Sequence, residues 1–454
     1  AGGETMLPYL PHTAEDISSM LSAVGAGSLE ELFFDLPAEV KLTRPLNLPD
    51  GISEYEVTTR LKALAGKNRS EYICFLGCGT YDHIIPAAVH HLVSRSEFYT
   101  AYTPYQAEIS QGILQAIFEF QTMICELTSL DASNASLYDG HTAACEAAVI
   151  ALNSVHNSNT ILYSAGLHPF TKQVLRTHFS GLGVALREVK LENGTTSIKD
   201  LKAGLSPGVA AVIVQNPNFL GYLEDYSGFG ELIRENQALF VVSSNPMSLG
   251  ILKSPGEWGA DIAIGDIQPF GLPSYFGGPS AGYIAAREKF LRKMPGRIVG
   301  QSLDCEGRRA FLLTLQAREQ HIRRERATSN ICSNQALAAL TATVYLSLLG
   351  KQGLEELGRQ NTQKAHYLFE RLIRELPVKP LYDQPFFNEF PVVLNQDAES
   401  VLNRMLARGL LGGIALRSFY PDDSLRQAVE VAVTEKRSRE ELDLYVDTLK
   451  EILQ

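Results

Sequence analysis

Apolar residues along this chain change their spacing twice. Up to about residue 70 they sit in short helical patterns behind acidic starts: Thr13-Ala-Glu-Asp16, Ser28-Leu-Glu-Glu31 and Ser53-Glu-Tyr-Glu56 are successive capping-type sequences. Gly25, Pro37 and Gly66 stop the helices they open, and few long apolar runs intervene, so 1–70 is expected to be an N-terminal helical arm. Tyr72–Leu76 predicts a short strand, Gly77–His83 a loop and Ile84–Val93 a helix. Ile113, Ile117, Phe120, Ile124 and Leu127 then mark one face of an amphipathic helix.

From Asn134 the pattern becomes solid apolar runs alternating with amphipathic segments. The runs predict strands at Thr160–Tyr163, Val184–Leu191, Val209–Val214, Leu239–Val242, Asp261–Ile264 and Gly282–Ala285. Helices are expected at Ala143–Val155, His168–Phe179, Ile198–Leu205 and Phe229–Asn236. This rhythm implies an α/β domain over 71–330 with a mostly parallel sheet, its site at the strand C-terminal ends. After Arg287 the character changes again. Long helices near Ser333–Leu349 and Leu354–Leu376 link, across 331–376, to a small α+β domain at 377–454. That domain reads as strands at Glu389–Leu394, Ile414–Phe419 and Ala428–Val433 with helices at Glu399–Arg408 and Ser438–Leu453.

The chain has 454 residues, 45% of them hydrophobic and 20% charged, with a net charge of −11. An acidic balance argues against nucleic acid as the main partner. Cys74, Cys78, Cys125, Cys145, Cys305 and Cys332 are scattered singly, which suits a reducing cytoplasm better than a disulfide framework. Cys74-x3-Cys78 with His83 lacks a second ligand pair, so no metal is expected. No secretory signal is read, Ala1–Thr5 ahead of Met6 reads as an added leader, and the uncharged stretch Ala327–Gly350 reads as a buried helix rather than a membrane span. Arg308–Arg326 holds six arginines and His321, and reads as a solvated helix paired with Glu306, Glu319 and Glu325.

Three places carry candidate chemistry. In Glu257–Arg287 an apolar strand, a loop rich in Pro and Gly, and a second strand succeed one another. Large pyridoxal-phosphate (PLP) enzymes set their cofactor lysine in such a loop. Here no lysine occurs between Lys253 and Lys289. The strand end Phe240–Pro246 likewise offers no carboxylate for a pyridinium nitrogen, so two anchors are missing together. Gly140-His141-Thr142 at a helix start is a weak candidate for an anion site. Phe98–Gly112 carries Tyr99, Tyr102, Tyr105 and Gln106 without helical or strand period; it reads either as surface packing or as a pocket wall with polar tips.

These stretches resemble the glycine decarboxylase P-protein of the glycine cleavage system, in its first (alpha) subunit. The match is carried by LPYLPHTAEDISSML from Leu7, SEFYTAYTPYQAEISQGILQAIFEFQTMICELTSLD from Ser96, NASLYDGHTAACEA from Asn134, GADIAIGDIQPFGLPSYFGGPSAGYIAAR from Gly259 and RRERATSNICSNQAL from Arg323. The resemblance implies a large domain like the fold-type-I PLP-dependent transferases. It places Gln268 and Pro269 where the catalytic subunit has its histidine and lysine, so this chain would bind no PLP covalently. The implied partner is a PLP-bearing beta subunit in an α2β2 assembly that decarboxylates glycine and passes the aminomethyl group to the lipoyl arm of the H-protein. By the same resemblance, Thr328, Ser329 and Asn330 would reach toward the partner's cofactor phosphate, and Gly140–Thr142 would be a vestigial anion site. The rival readings are a purely structural scaffold, or a self-sufficient enzyme using another lysine such as Lys253.

Overall fold

A computed structural model describes residues 11–42, 44–275, 277–420 and 423–454. Ala1–Thr5, Leu7–Leu10 of the first matching stretch and Phe276 of the fourth lie outside the described residues. The chain divides into two compact units, 1–70 and 71–454.

In the first unit, Thr13 and Ser53 cap helices Ala14–Val24 and Glu54–Ala65 through reciprocal bonds with Asp16 and Glu56. Ser28 opens only a 3-10 turn, Glu30–Phe33. Neither helix buries a single residue, and Met20, Val24, Leu29, Leu32 and Phe34 are all exposed.

The second unit is built on a seven-stranded sheet: β1 Ala132–Ser133, β2 Thr160–Ser164, β3 Ala185–Val189, β4 Val209–Asn216, β5 Leu239–Ser244, β6 Ile262–Asp266 and β7 Gly282–Ala286, in the order β1-β7-β6-β5-β4-β2-β3. The run from β3 to β6 is parallel throughout. β7 is antiparallel to both neighbours, because Ile267–Ala281 returns the chain without a crossover helix. Seven of the eight residues of β4 are buried, as expected of a strand covered on both faces. Alanines 143, 144, 147, 148 and 151 let helix Gly140–Leu152 lie close on one face. Phe229, Ile233 and Leu201 cover part of the other.

A four-stranded sheet of Lys379–Pro380, Glu389–Val393, Ala428–Ala432 and Ile414–Ala415 packs with helices Ala398–Leu406 and Arg439–Leu453. Two local expectations gain detail and one needs correcting. Ile73–Cys74 is a strand, but it pairs with Leu410–Leu411, so the chain after the arm packs with the C-terminal layer first. The two long helices are both present within Ala336–Glu375 and part at a kink at Gly350, whose φ of 59° a side chain would resist. The arginine stretch is no continuous helix. Arg309–Thr314 pairs with Ile298–Leu303 as a hairpin, and Phe311 and Leu313 alternate inward against Leu114 and Ile117, a period of two that the arginines hid. Among the described residues no helix is long and apolar enough to cross a membrane.

Candidate functional site

A cavity of about 200 Å³ opens at the C-terminal ends of the parallel strands. Gln215 closes it from β4, Ser243 and Ser244 from β5, and Asp266 from β6. The loops after them add Asn245 and Pro269, and the C-terminal layer contributes Asn388 and Glu389.

The start of helix Gly140–Leu152 faces this cavity. A Cβ on Gly140 would lie 3.0 Å from the Asp266 nitrogen, so glycine is what lets the helix start approach the end of β6. That approach has a consequence for anion binding. The Gly140 N–H donates to Asp266 Oδ2 at 3.2 Å, and the Thr142 N–H donates to Asp139 Oδ1 at 2.7 Å. Asp266 also accepts from the Gln268 N–H at 2.9 Å and from the Ser280 hydroxyl. Burial lifts its pKa above the ordinary carboxylate value, and these three hydrogen bonds oppose the rise. Two of the N–H donors that mark Gly140-His141-Thr142 as an anion site, those of Gly140 and Thr142, are therefore already taken by the chain's own carboxylates. His141 turns its Nδ1 to Thr171 Oγ1, 2.8 Å away. His168 is neutral: burial, reinforced by His141, holds its pKa down to about 4.

Pro269 lines the cavity, whereas Gln268 is buried behind it, accepting from the Tyr81 N–H at 3.0 Å and donating to the Tyr81 carbonyl at 2.9 Å and the Leu272 carbonyl at 2.7 Å. No described lysine or arginine lines the space. Lys172 donates to the Ala165 carbonyl and pairs with Glu188, and Lys253 stands 4.0 Å from the Trp258 ring centroid. Pyridoxal phosphate needs an amine, an anion cradle and a carboxylate for its ring nitrogen. With the amine absent and the cradle filled by Asp266, the residues present do not fit it.

The other sequence candidates lie outside this cavity. Pro104 is buried and anchors the tyrosine loop. Tyr99 and Tyr102 are 67% and 86% exposed and border a shallow apolar cleft with Ile113, Leu337 and Leu340. Tyr105 is 56% exposed and Gln106 is also exposed. Thr328 and Asn330 point to solvent. Ser329 turns inward instead, accepting from the Ile331 N–H at 3.1 Å and hydrogen-bonding Glu146, so it is held by its own chain. Arg297 joins the two segments, donating to the Tyr105 hydroxyl at 3.1 Å and to Ser333 Oγ at 2.8 Å. Sequence reasoning missed it; the signal was a lone charge at the edge of the apolar run Ile298-Val299. It also missed Asp266, which stands at the head of the loop that lacks a lysine.

The family description "Glycine cleavage system P-protein" matches residues 8–449. The chain belongs to the glycine cleavage system P-protein family. It is 53% identical to a protein named "Probable glycine dehydrogenase (decarboxylating) subunit 1" from Carboxydothermus hydrogenoformans, over 98% of this chain and 99% of that one. A protein of the same name from Geobacillus thermodenitrificans is 50% identical over 97% and 98%. A crystal structure of glycine decarboxylase (P-protein) of the glycine cleavage system, in inhibitor-bound form, superposes with a TM-score of 0.90 at 45% identity, covering 98% of this chain and all of that one. The P-protein fold thus accounts for the sheet and the C-terminal layer together.

Proposed function

We propose that this chain is subunit 1 of a two-subunit glycine dehydrogenase (decarboxylating), the subunit that carries no cofactor and works only with a PLP-bearing partner. The observation that carries this reading is the self-filled cavity: it stands where fold-type-I enzymes hold their cofactor, yet Asp266 occupies the helix start and Pro269 replaces an amine. Two features support a partner. The arm leaves Met20, Val24, Leu29, Leu32 and Phe34 exposed, a set of apolar side chains that a partner surface would cover. The tyrosine loop leaves Tyr99, Tyr102 and Tyr105 more than half exposed, with the Tyr105 hydroxyl held by buried Arg297.

In this reading the partner's pyridoxal phosphate supplies the electron sink for the carbon left when carbon dioxide departs from glycine. This chain closes the partner's site. Tyr99, Tyr102, Tyr105 and Gln106 exclude water and direct hydroxyls and an amide at a small zwitterion. Thr328 and Asn330, the two outward residues of their loop, hydrogen-bond the partner's cofactor phosphate. The assembly is an α2β2 heterotetramer in the cytoplasm, consistent with six free cysteines, and it delivers the aminomethyl group to lipoylated H-protein.

The test takes two steps. The isolated chain is mixed with PLP, reduced with borohydride and weighed, with no stoichiometric pyridoxyl-lysine expected. The chain is then combined with its PLP-bearing partner and assayed for glycine decarboxylation in the presence of H-protein. Labelling at Lys253 would establish the self-sufficient enzyme. Full activity of the partner alone would reduce this chain to a scaffold.

A further inference from the structure

Arg297 opens the hairpin strand Ile298–Leu303 and is 2% exposed. Its guanidinium stands 5.4 Å from the Tyr105 ring centroid, and its Nε has no partner. Among the described residues no carboxylate pairs with it. Arg318 donates to the Met294 carbonyl, three residues before Arg297, and leaves its Nε and Nη2 unpartnered too. His321 meets the Tyr105 ring edge-on at 6.5 Å. A buried cation is strongly disfavoured unless an anion completes it; Glu319 lies beside Arg318 and 3.7 Å from His321, but no described carboxylate pairs with Arg297.

The hydrogen-bond direction narrows what completes it. Arginine only donates, so the Tyr105 oxygen accepts from Nη2 and keeps its own proton free to donate elsewhere. Tyr105 as a whole is 56% exposed, so a group arriving from outside can meet that proton. The buried charge favours an oxyanion at that position and disfavours an ammonium group. We propose that Arg297 is a positioning residue that makes Tyr105 a fixed, charge-assisted donor to the carboxylate of the amino-acid substrate. This rests on the functional reading above and adds to it which end of glycine the tyrosine loop recognises. The Arg297–Ser333 bond holds the loop that follows Thr328–Asn330 in the same frame.

The experiment uses the assembled complex, with Arg297→Met, Arg297→Lys, Tyr105→Phe and the Arg297→Met/Tyr105→Phe double variant. Arg297→Met is expected to raise the KM for glycine at least tenfold, with kcat changed less and assembly and cofactor content intact. Arg297→Lys should recover part of the loss. The double variant should be no worse than the poorer single one, because both act through one contact. Acetate, a bare carboxylate, should inhibit competitively against glycine, and Arg297→Met should weaken that inhibition about as much as it raises KM. If only phosphate inhibition depends on Arg297, or if KM is unchanged and only the melting temperature falls, the proposal is overturned. Should Arg297→Met fail to assemble, Arg297→Lys and Tyr105→Phe decide by the same KM criterion. If the wild-type complex turns over no glycine, the functional reading falls separately. Isotope-labelled acetate binding to the isolated chain, followed by NMR, then tests Arg297: loss in Arg297→Met supports the donor role and equal binding overturns it.

Discussion

At the ends of the parallel strands, two donors of the helix start have acceptors from the same chain, Gly140 and Thr142 giving their N–H groups to Asp266 and Asp139, although Asn388 Nδ2 in the cavity wall has no partner. Around Tyr105 the reverse holds. Arg297 Nε and Arg318 Nε and Nη2 lack acceptors, and the tyrosine rings lie open to solvent. A cradle whose donors are internally satisfied gains little from an incoming anion, because binding must first displace a carboxylate already in place. A surface with unsatisfied donors and exposed aromatics gains from anything that covers it. Shape alone points to the cavity as the active centre; hydrogen-bond accounting points to the tyrosine face.

The largest effects are therefore expected on that face. Tyr99→Phe or Tyr102→Phe should leave the melting temperature of the isolated chain unchanged, since both hydroxyls are solvated there. In the assembled complex, at least one should lower glycine turnover ten- to hundredfold, about 1.4–2.8 kcal/mol, with size and PLP content unaltered. Activity and size-exclusion measurements on the same samples check this. Normal turnover in both, with Gln106→Ala also normal, would leave the loop as surface packing and erase the contrast.

A second effect, on stability rather than turnover, sits where the two regions touch. Glu146 lies on the helix that starts at the cavity, and it bonds Ser329 in the loop behind the face. Burial pushes its pKa up to about 7, with the Ser329 hydroxyl pulling the other way. Because the folded value is raised, its contribution is fully present below pH ~4.5 and is lost as pH rises through about 7. The cost at pH 8 is at most about 3 kcal/mol. Glu146→Gln should thus be more stable than wild type at pH 8, by a margin that shrinks toward pH 5. His168 loses stability in the other direction, as pH falls from 6.5 toward about 4, but it is common to both proteins and drops out of the difference. Chemical denaturation at the two pH values measures the margin; a margin independent of pH would mean that Glu146 is ionised throughout.

How much of this was legible beforehand follows from which signals are local. The α/β rhythm and the strand-end location of the cavity came from apolar runs, because strands such as Val209–Asn216 are buried on both faces and carry their period openly. The missing lysine was legible as an absence. The Arg309–Thr314 strand was not, since its inward residues Phe311 and Leu313 are only two among arginines. Nor was the inward turn of Ser329, fixed by Glu146 far away in sequence, or the Asp266–Gly140 bond, which spans 126 positions. Contacts of that range depend on how the sheet closes, and no short window contains them.

The smallest expected effect is none at all, and it tests the cavity directly. Pro269→Lys restores an amine to the wall of a space lined by Asp266 and Asn245. If the missing lysine were the whole deficit, the variant would take up PLP and decarboxylate glycine unaided. Asp266 argues against that, because its carboxylate occupies the helix start that a phosphate must use, and no lysine or arginine among the described lining residues would offset the repulsion. β5 ends in Ser243-Ser244-Asn245, so no carboxylate there would hold a pyridinium nitrogen either. Pro269→Lys alone should therefore show no glycine-dependent release of carbon dioxide. Adding Asp266→Ser should vacate the Gly140 N–H and let inorganic phosphate bind, still without decarboxylation. Phosphate titration by calorimetry and carbon dioxide release from labelled glycine separate the steps: phosphate binding to the wild-type chain would show that Asp266 does not fill the cradle, and turnover by the single variant would show that one amine was all the cavity lacked.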